Sequence, residues 1–364
     1  MQNKSKVILI SHLPLPYHGI GSWTTLYHNY MIKGRHQIDA IICPPLSKEK
    51  YIDIDYLFFT NSKIKKIKNK LLYNRFHHIL SRLKAYISKY KNYRFVIQIV
   101  DNIGLVLALN VFLTKHSLRG QVYIQYSFHG FSIQSENLMK KINASCDEII
   151  FLTQIAYQDN LKRHTLLPKY VSILNNGIDT NKFKQIAKKD ENDKTTFIWC
   201  SQDRPKKGLH IILEAWSKFH KLYPNSELQI VGTYKTYQVE GVKCLGRISN
   251  DQLPEVYQNA DVYLFPTLCH EGFGLTLVEA LHCGCFCIAS NIGGVPEVLN
   301  HGEYGWLISE PHNTDEWLNA MITYEREKPK HPKILKNKYS LESWSNGMNE
   351  IILKAKNRIE LNIC

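Results

Sequence analysis

No stretch of this 364-residue chain approaches the roughly 18 uninterrupted apolar residues that a membrane-spanning helix needs. Nor is a secretory leader expected, because polar Gln2-Asn3-Lys4-Ser5-Lys6 passes into a short apolar run that ends at Ser11. A cytosolic location is therefore expected. The nine cysteines have no framework spacing and are odd in number, which fits buried thiols in a reducing compartment. Cys283, Cys285 and Cys287, with Cys269, His270 and His282 nearby, invite a metal reading. Zinc sites usually pair cysteines roughly two to four residues apart and need a second pair. The alternating run fits a helix end followed by a buried strand, and no metal site is expected. Acid is scarce in one half: residues 1–175 hold 24 Lys/Arg against nine Asp/Glu, whereas residues 176–364 hold 22 against 23.

What is present is material for two cores. Hydrophobic residues make up 44% and aromatics 11%, and the length exceeds what one core usually supports. Short apolar runs alternate with helical patterns, which predicts α/β architecture with parallel sheets and helical crossovers. The runs Val7–Ile10, Val96–Val100, Val122–Gln125 and Glu148–Leu152 read as strands of a first domain, residues 1–177. Polar residues 178–195 read as a linker. Thr196–Cys200, Leu228–Val231, Val242–Leu245, Val262–Phe265 and Phe286–Ala289 read as strands of a second domain, residues 196–340. Between them Leu209, Ile212, Leu213, Trp216 and Phe219 mark one face of a helix. A last helix is expected in 341–364, with Trp344, Met348 and Ile352 at helical spacing. No solenoid-length repeat is present.

The most specific feature is Glu271-Gly-Phe-Gly-Leu-Thr-Leu-Val-Glu279, continuing through Ala280 and Gly284 to Gly293-Gly-Val-Pro-Glu297. Gly272 and Gly274 let backbone approach a ligand closely, and a helix opening at Leu275 and Thr276 offers unpaired N–H groups to a pyrophosphate. A carboxylate deeper in the helix, Glu279, can accept two hydrogen bonds from a ribose diol, while Glu271 faces a sugar.

This stretch resembles the E-x7-E signature of the retaining family-4 glycosyltransferases, which have two Rossmann-like domains with parallel sheets facing a central cleft (the GT-B fold). The resemblance implies transfer of a sugar from a nucleoside-diphosphate sugar to a saccharide acceptor, with retention and without a metal cofactor, and the acceptor expected here is lipid-linked, in cell-surface polysaccharide or glycolipid assembly. It places the donor on the C-terminal domain and the acceptor on the N-terminal one, with the terminal helix crossing back to the first domain. It also assigns roles. Glu279 holds the ribose, Glu271 the sugar hydroxyls, and the backbone of Gly272, Phe273, Gly274, Leu275 and Thr276 the diphosphate. Lys207 before Gly208 matches the family's basic loop, but Ser201-Gln202 stand where the family usually has Gly-Arg, so the available guanidinium is the displaced Arg204. His129, after a predicted strand, matches the family's active-site histidine. Gly19 and Gly21 match the first-domain loop near the donor or acceptor, and Arg247-Ile248 the strand end that meets the nucleobase.

The basic charge is densest between Lys63 and Arg94, with eleven Lys/Arg and no acid. Ile64, Ile67, Leu71, Leu72, Phe76, Ile79, Leu83 and Ile87 recur there at helical spacing, interleaved with Tyr73, Tyr86, Tyr90 and Tyr93. Such a surface can lie on an anionic membrane, here the inner face of the cell membrane, or its apolar face can belong to the core while its lysines are solvated. A basic protein without transferase activity, binding membrane or nucleic acid, is the alternative. No nucleic-acid motif is present, so nucleic acid is not expected. Asp53-Ile-Asp55 reads as surface rather than as a metal-binding D-x-D.

Overall fold

The structure is a computed structural model that describes residues 4–17, 22–32, 36–45, 50–59, 76–186 and 194–361. Gly19, Gly21 and residues 63–75 of the basic stretch lie outside the described residues. The chain divides into two compact units, Met1–Asn176 with Leu341–Cys364, and Gly177–Ser340.

In the first unit β1 (Lys4–Ile10), β2 (Ala40–Cys43), β3 (Asp55–Phe58), β4 (Tyr93–Val100), β5 (Val122–Phe128), β6 (Glu148–Phe151) and β7 (Tyr170–Ile173) form one parallel sheet in the order β3-β2-β1-β4-β5-β6-β7. Helices cover both faces, so β4 and β5 read as near-continuous apolar runs rather than as alternation. The helices are α1 (Ser22–Ile32), α2 (His77–Lys89), α3 (Ile103–Lys115), α4 (Glu136–Asn143) and α5 (Gln154–Arg163). Side-chain caps open three of them. Asn102, Ser135 and Thr153 accept from the N–H of Leu105, Leu138 and Ala156, donors that the helix geometry leaves without partners.

The apolar face of α2 belongs to the core. Ile79, Leu80, Leu83, Tyr86 and Ile87 are buried against the sheet, while Arg82, Lys84, Lys89 and Lys91 are exposed. Of the two readings of 63–94, this bears out for 76–94 the one in which the apolar face belongs to the core, and the basic face alone is exposed.

The C-terminal helix (Leu341–Glu360) buries Trp344, Met348, Ile352, Ala355 and Ile359 in the core formed with Tyr27, Val96 and Tyr123. Near its end Arg358 donates to Tyr123 Oη at 2.9 Å, lies 3.4 Å from Glu148 Oε2, and stacks over the Tyr170 ring with its guanidinium carbon 3.7 Å from the centroid. Glu148 is fully buried and also accepts from Gln125 Nε2 at 2.9 Å and Ser172 Oγ at 2.5 Å. Burial of that charge is tolerable because a cation and several donors surround it.

The second unit repeats the plan with β8 (Thr195–Cys200), β9 (Ser226–Val231), β10 (Val242–Gly246), β11 (Val262–Phe265), β12 (Phe286–Ser290) and β13 (Gly305–Ile308) in the parallel order β10-β9-β8-β11-β12-β13. Its helices are α6 (Leu209–Leu222), α7 (Leu253–Gln258), α8 (Leu275–His282), α9 (Val295–Val298) and α10 (Thr314–Glu327). Phe197, Trp199, Trp216, Phe219 and Trp317 fill its centre. Both units are Rossmann-like, and in each the strand order reverses beside the first strand, the place where doubly wound sheets bind ligands.

The expected linker at 178–195 needs correction. Ile178 bridges to Ser340, and Phe183 is buried against Tyr257, so residues 178–186 are packed parts of the second unit. Apolar Ile178 and Phe183 fix a segment whose composition is otherwise polar. Among the described residues no helix is long and apolar enough to cross a membrane.

Replacing Arg358 with alanine leaves Glu148 charged and buried without its cation, and is expected to cost about 3 kcal/mol. The loss should appear as a lower denaturation midpoint in urea, and Glu148→Gln in the same background should recover part of it. An unchanged midpoint for Arg358→Ala would show that the pair does not hold the helix.

Candidate functional site

The site is built at the carboxyl ends of β8, β11 and β12, three neighbouring strands in the centre of the second sheet. β8 leads into Ser201–Gly208, β11 into Pro266–Gly274 and β12 into Asn291–Gly294. Gly208 takes φ +69°, and a Cβ there would lie 1.9 Å from the Pro266 carbonyl oxygen. Alongside it, Leu268 N–H donates to Lys206 O at 2.8 Å, and Trp199 Nε1 donates to Lys207 O at 3.2 Å. Gly293, at φ +66°, packs so closely on Glu271 that a Cβ would come within 2.5 Å of its carbonyl oxygen, and Gly294 N–H donates to that same oxygen at 2.8 Å. Only glycine satisfies both a left-handed φ and such proximity.

These contacts bring Lys207 and Glu271 together. The ammonium forms an ion pair with Glu271 Oε1, with both side chains partly shielded. Thr267, 1% exposed, places its hydroxyl 3.2 Å from the same oxygen, and the Cys269 thiol lies 3.9 Å from it. Arg204 is not part of this group. It is exposed at the start of the short 3-10 turn Pro205–Lys207, and among the described residues its guanidinium has no hydrogen bond or ion pair.

Gly274, at φ +94°, caps α8, and the helix begins at Leu275 and Thr276 with its first N–H groups directed out of the turn. Thr276 Oγ1 is 2.8 Å from the buried Tyr263 hydroxyl. Gly272 and Phe273 are buried, and the Phe273 ring packs edge-on against Tyr339 at 5.3 Å, so Phe273 can offer a ligand its backbone but not its ring.

One turn into α8, Glu279 Oε2 is buried without a hydrogen-bond partner among the described residues, and the Tyr257 hydroxyl beside it is in the same state. Burial pushes the Glu279 carboxyl up to about 7, opposed by the positive charge of Lys182 and by the nearby Tyr257 hydroxyl. Lys182 itself is held by Asn250 at 2.6 Å and Asp251 at 2.7 Å.

At the end of β10, Arg247 stacks over the exposed Tyr234 ring, 4.9 Å from its centroid, and Ile248 is half-buried beside it. In the first unit His129 follows β5, half-buried; burial lowers its pKa to about 4 against the pull of Asp101, so the imidazole is neutral at physiological pH. It borders a void of about 10 Å³ shared with Ser127, Trp23 and Asn176, room for one water. The cysteines around α8 do not converge: Cys285 Sγ donates to Tyr257 O at 3.1 Å and Cys287 Sγ to Cys285 O at 3.8 Å.

The sequence pattern placed Glu271, Glu279 and Lys207, and the structure pairs the first with the last. It did not reveal Thr267 and Cys269 on Glu271, Tyr257 and Lys182 around Glu279, or Tyr234 beneath Arg247. Tyr234 had a usable signal, since it follows β9 at the ligand-binding edge of the sheet.

Comparison with known proteins adds family evidence. Residues 179–341 match the family model described as glycosyl transferases group 1. The gpi3 subunit of phosphatidylinositol N-acetylglucosaminyltransferase from Schizosaccharomyces pombe is 27% identical over 228 residues, 60% of this chain and 48% of that protein. A phosphatidyl-myo-inositol mannosyltransferase from Mycobacterium tuberculosis is 31% identical over 144 residues, 36% of this chain and 38% of that protein. The chain thus spans less than half the length of either of these curated relatives. Among solved structures, sucrose-phosphate synthase from Thermosynechococcus elongatus superposes with a TM-score of 0.72 at 17% identity, over 97% of this chain and 99% of that one. HepE from Anabaena, solved with UDP and glucose, gives 0.68 at 15% identity over 96% and 99%. These likenesses show the GT-B fold.

The raised pKa of Glu279 has a stability consequence. A folded-state value near 7 against about 4.5 in the unfolded chain means that the folded protein holds this proton more tightly. The associated stability is fully present below pH about 4.5 and is lost as pH rises to about 7, up to about 3 kcal/mol. The stability difference between wild type and Glu279→Gln, followed by urea denaturation from pH 4 to 8, should therefore turn against the wild type over that window. A flat difference would show that the carboxyl is not desolvated.

Proposed function

Residues 179–341 match the family model of glycosyl transferases group 1, and we propose that the chain is a retaining glycosyltransferase that moves a sugar from a nucleoside diphosphate to a saccharide hydroxyl. The observation that carries this reading is Glu279 Oε2, a buried acceptor without a partner among the described residues, one turn inside a helix whose glycine-capped N-terminus offers N–H groups. A ribose diol supplies the donors that this oxygen lacks, and a diphosphate meets the free amides and the helix dipole.

In this reading the donor diphosphate displaces Glu271 as the partner of Lys207. The ammonium then neutralises charge as the bond from the anomeric carbon to the phosphate oxygen breaks, and Glu271 is released to hold sugar hydroxyls. The acceptor oxygen attacks from the face that the diphosphate leaves, and its proton passes to the departing phosphate oxygen. Lys207 and the α8 amides supply the positive potential, so no divalent metal is needed. Arg204, on the same turn as Lys207, reaches the phosphates only with a changed loop path. Arg247 and Ile248 meet the nucleobase, and Gly19 and Gly21 approach the donor or acceptor. Neutral His129 acts as a hydrogen-bonding group for the donor sugar or the acceptor rather than as a cation.

The relatives are named for transfer to phosphatidylinositol lipids, which supports a lipid-linked acceptor at the inner face of the cell membrane. The basic face of α2, with exposed Arg82, Lys84 and Lys89, and Lys91 in the turn after it, suits an anionic lipid surface.

Two experiments test these points. In a metal-free thermal-shift panel of UDP, GDP, ADP, TDP and CMP, one diphosphate at about 100 times its dissociation constant should add about 2.7 kcal/mol of stability. Glu279→Ala should lose that response, and Lys207→Ala should lower kcat with the matching donor about 100-fold or more; no shift from any nucleotide would defeat the assignment. Sedimentation with phosphatidylglycerol vesicles should show binding that weakens with salt and with charge reversal at Lys84 and Lys89, each basic residue contributing about 1 kcal/mol. Equal binding to phosphatidylcholine vesicles would remove the membrane role.

A further inference from the structure

A cavity of about 730 Å³ opens in the first unit beside the end of α1 and the C-terminal helix. Much of its wall precedes β2 and β3, the end of the sheet away from His129, which follows β5. Its size falls within the roughly 300–1,000 Å³ typical of small-molecule sites, and the transfer chemistry proposed above does not use it.

The wall carries unmet polar capacity. His36 Nδ1 is buried with no partner among the described residues, and burial lowers the pKa of its ring, leaving a neutral imidazole. Asp53, exposed at φ +64°, has no hydrogen bond or ion pair there. Among the described residues Lys356 reaches only Gln37 Oε1, at 3.3 Å, and Lys50 sits over the Tyr56 and Phe58 rings at 5.8 and 5.2 Å rather than on a carboxylate. Ile32 and Ile52 are 58% and 83% exposed at the rim.

This chemistry selects a ligand class by elimination. An anion would meet Asp53 and Asp39; a cation would meet Lys50 and Lys356. A wholly apolar ligand would strand the carboxylate and the imidazole away from water. A neutral polyhydroxylated molecule offers hydroxyl protons to Asp53 and His36, oxygen acceptors to Lys356 and the Gln37 amide, and C–H faces to Ile32 and Ile52. We propose that this cavity is a second carbohydrate site, binding a neutral saccharide segment apart from the place where the glycosidic bond is made.

The test is saturation-transfer NMR on the full chain with the methyl glycosides of glucose, mannose, galactose and N-acetylglucosamine. At least one should receive saturation from the wild type and equally from Glu279→Ala, which keeps this result separate from the fate of the donor assignment. Asp53→Gly, which suits the positive φ, and Gln37→Ala, at an exposed side chain, should each reduce the transfer at least fivefold with unchanged melting temperatures. The proposal is overturned if none of the four sugars receives saturation, if either variant retains the signal, or if Glu279→Ala abolishes it.

Discussion

Everything at the second unit's site depends on three loops lying backbone against backbone. Gly208 abuts the Pro266 carbonyl, Lys206 accepts from Leu268, and Gly293-Gly294 close on Glu271. These approaches are main chain on main chain, so the backbones that carry Lys207 and Glu271 are fixed, and the side chains of Trp199 on Lys207 O and of Thr267 on Glu271 add to that support. Main chain is the stiffest material available, and in the proposed reaction, where a donor diphosphate separates this charge pair, both residues keep fixed anchor points.

The two units also handle buried carboxylates in opposite ways. Glu148 is saturated: Arg358, Tyr123, Gln125 and Ser172 occupy its oxygens, and its role is to tie a helix to a sheet. Glu279 keeps one oxygen without a partner among the described residues, and its carboxyl is pushed toward neutrality. A fold that can satisfy one buried acid so thoroughly has the means to satisfy the other. Its missing donors are what the proposed ribose diol would supply.

Legibility in the sequence followed length and locality. Apolar runs such as Tyr93–Val100 and Thr195–Cys200, and even the four-residue β6 and β11, announced buried parallel strands, whereas the edge strands β3, β7 and β13 are only partly buried and carry no comparable run. Glu271, Glu279 and Lys207 were legible because each sits beside a glycine or within one helix turn of a glycine-framed run. Their supporters were not: Tyr257 and Lys182 reach Glu279 from other segments, and Thr267, though in the same loop as Glu271, meets it only through the loop's folded path. Periodicity showed that Ile79, Leu83 and Ile87 share a face but could not show that the sheet, rather than a lipid layer, covers it.

The first unit is sewn from both ends of the chain. Its face bearing Tyr27, Val96 and Tyr123 is covered by the helix Leu341–Glu360. During synthesis, Gly177–Ser340 leaves the ribosome as one continuous segment and has all its own strands to hand, while the earlier-made portion waits with an apolar face uncovered. The core of the N-terminal half therefore cannot be completed before residues 341–360 are made, and a chain that ends short of them leaves that apolar face open to aggregation and to chaperone capture.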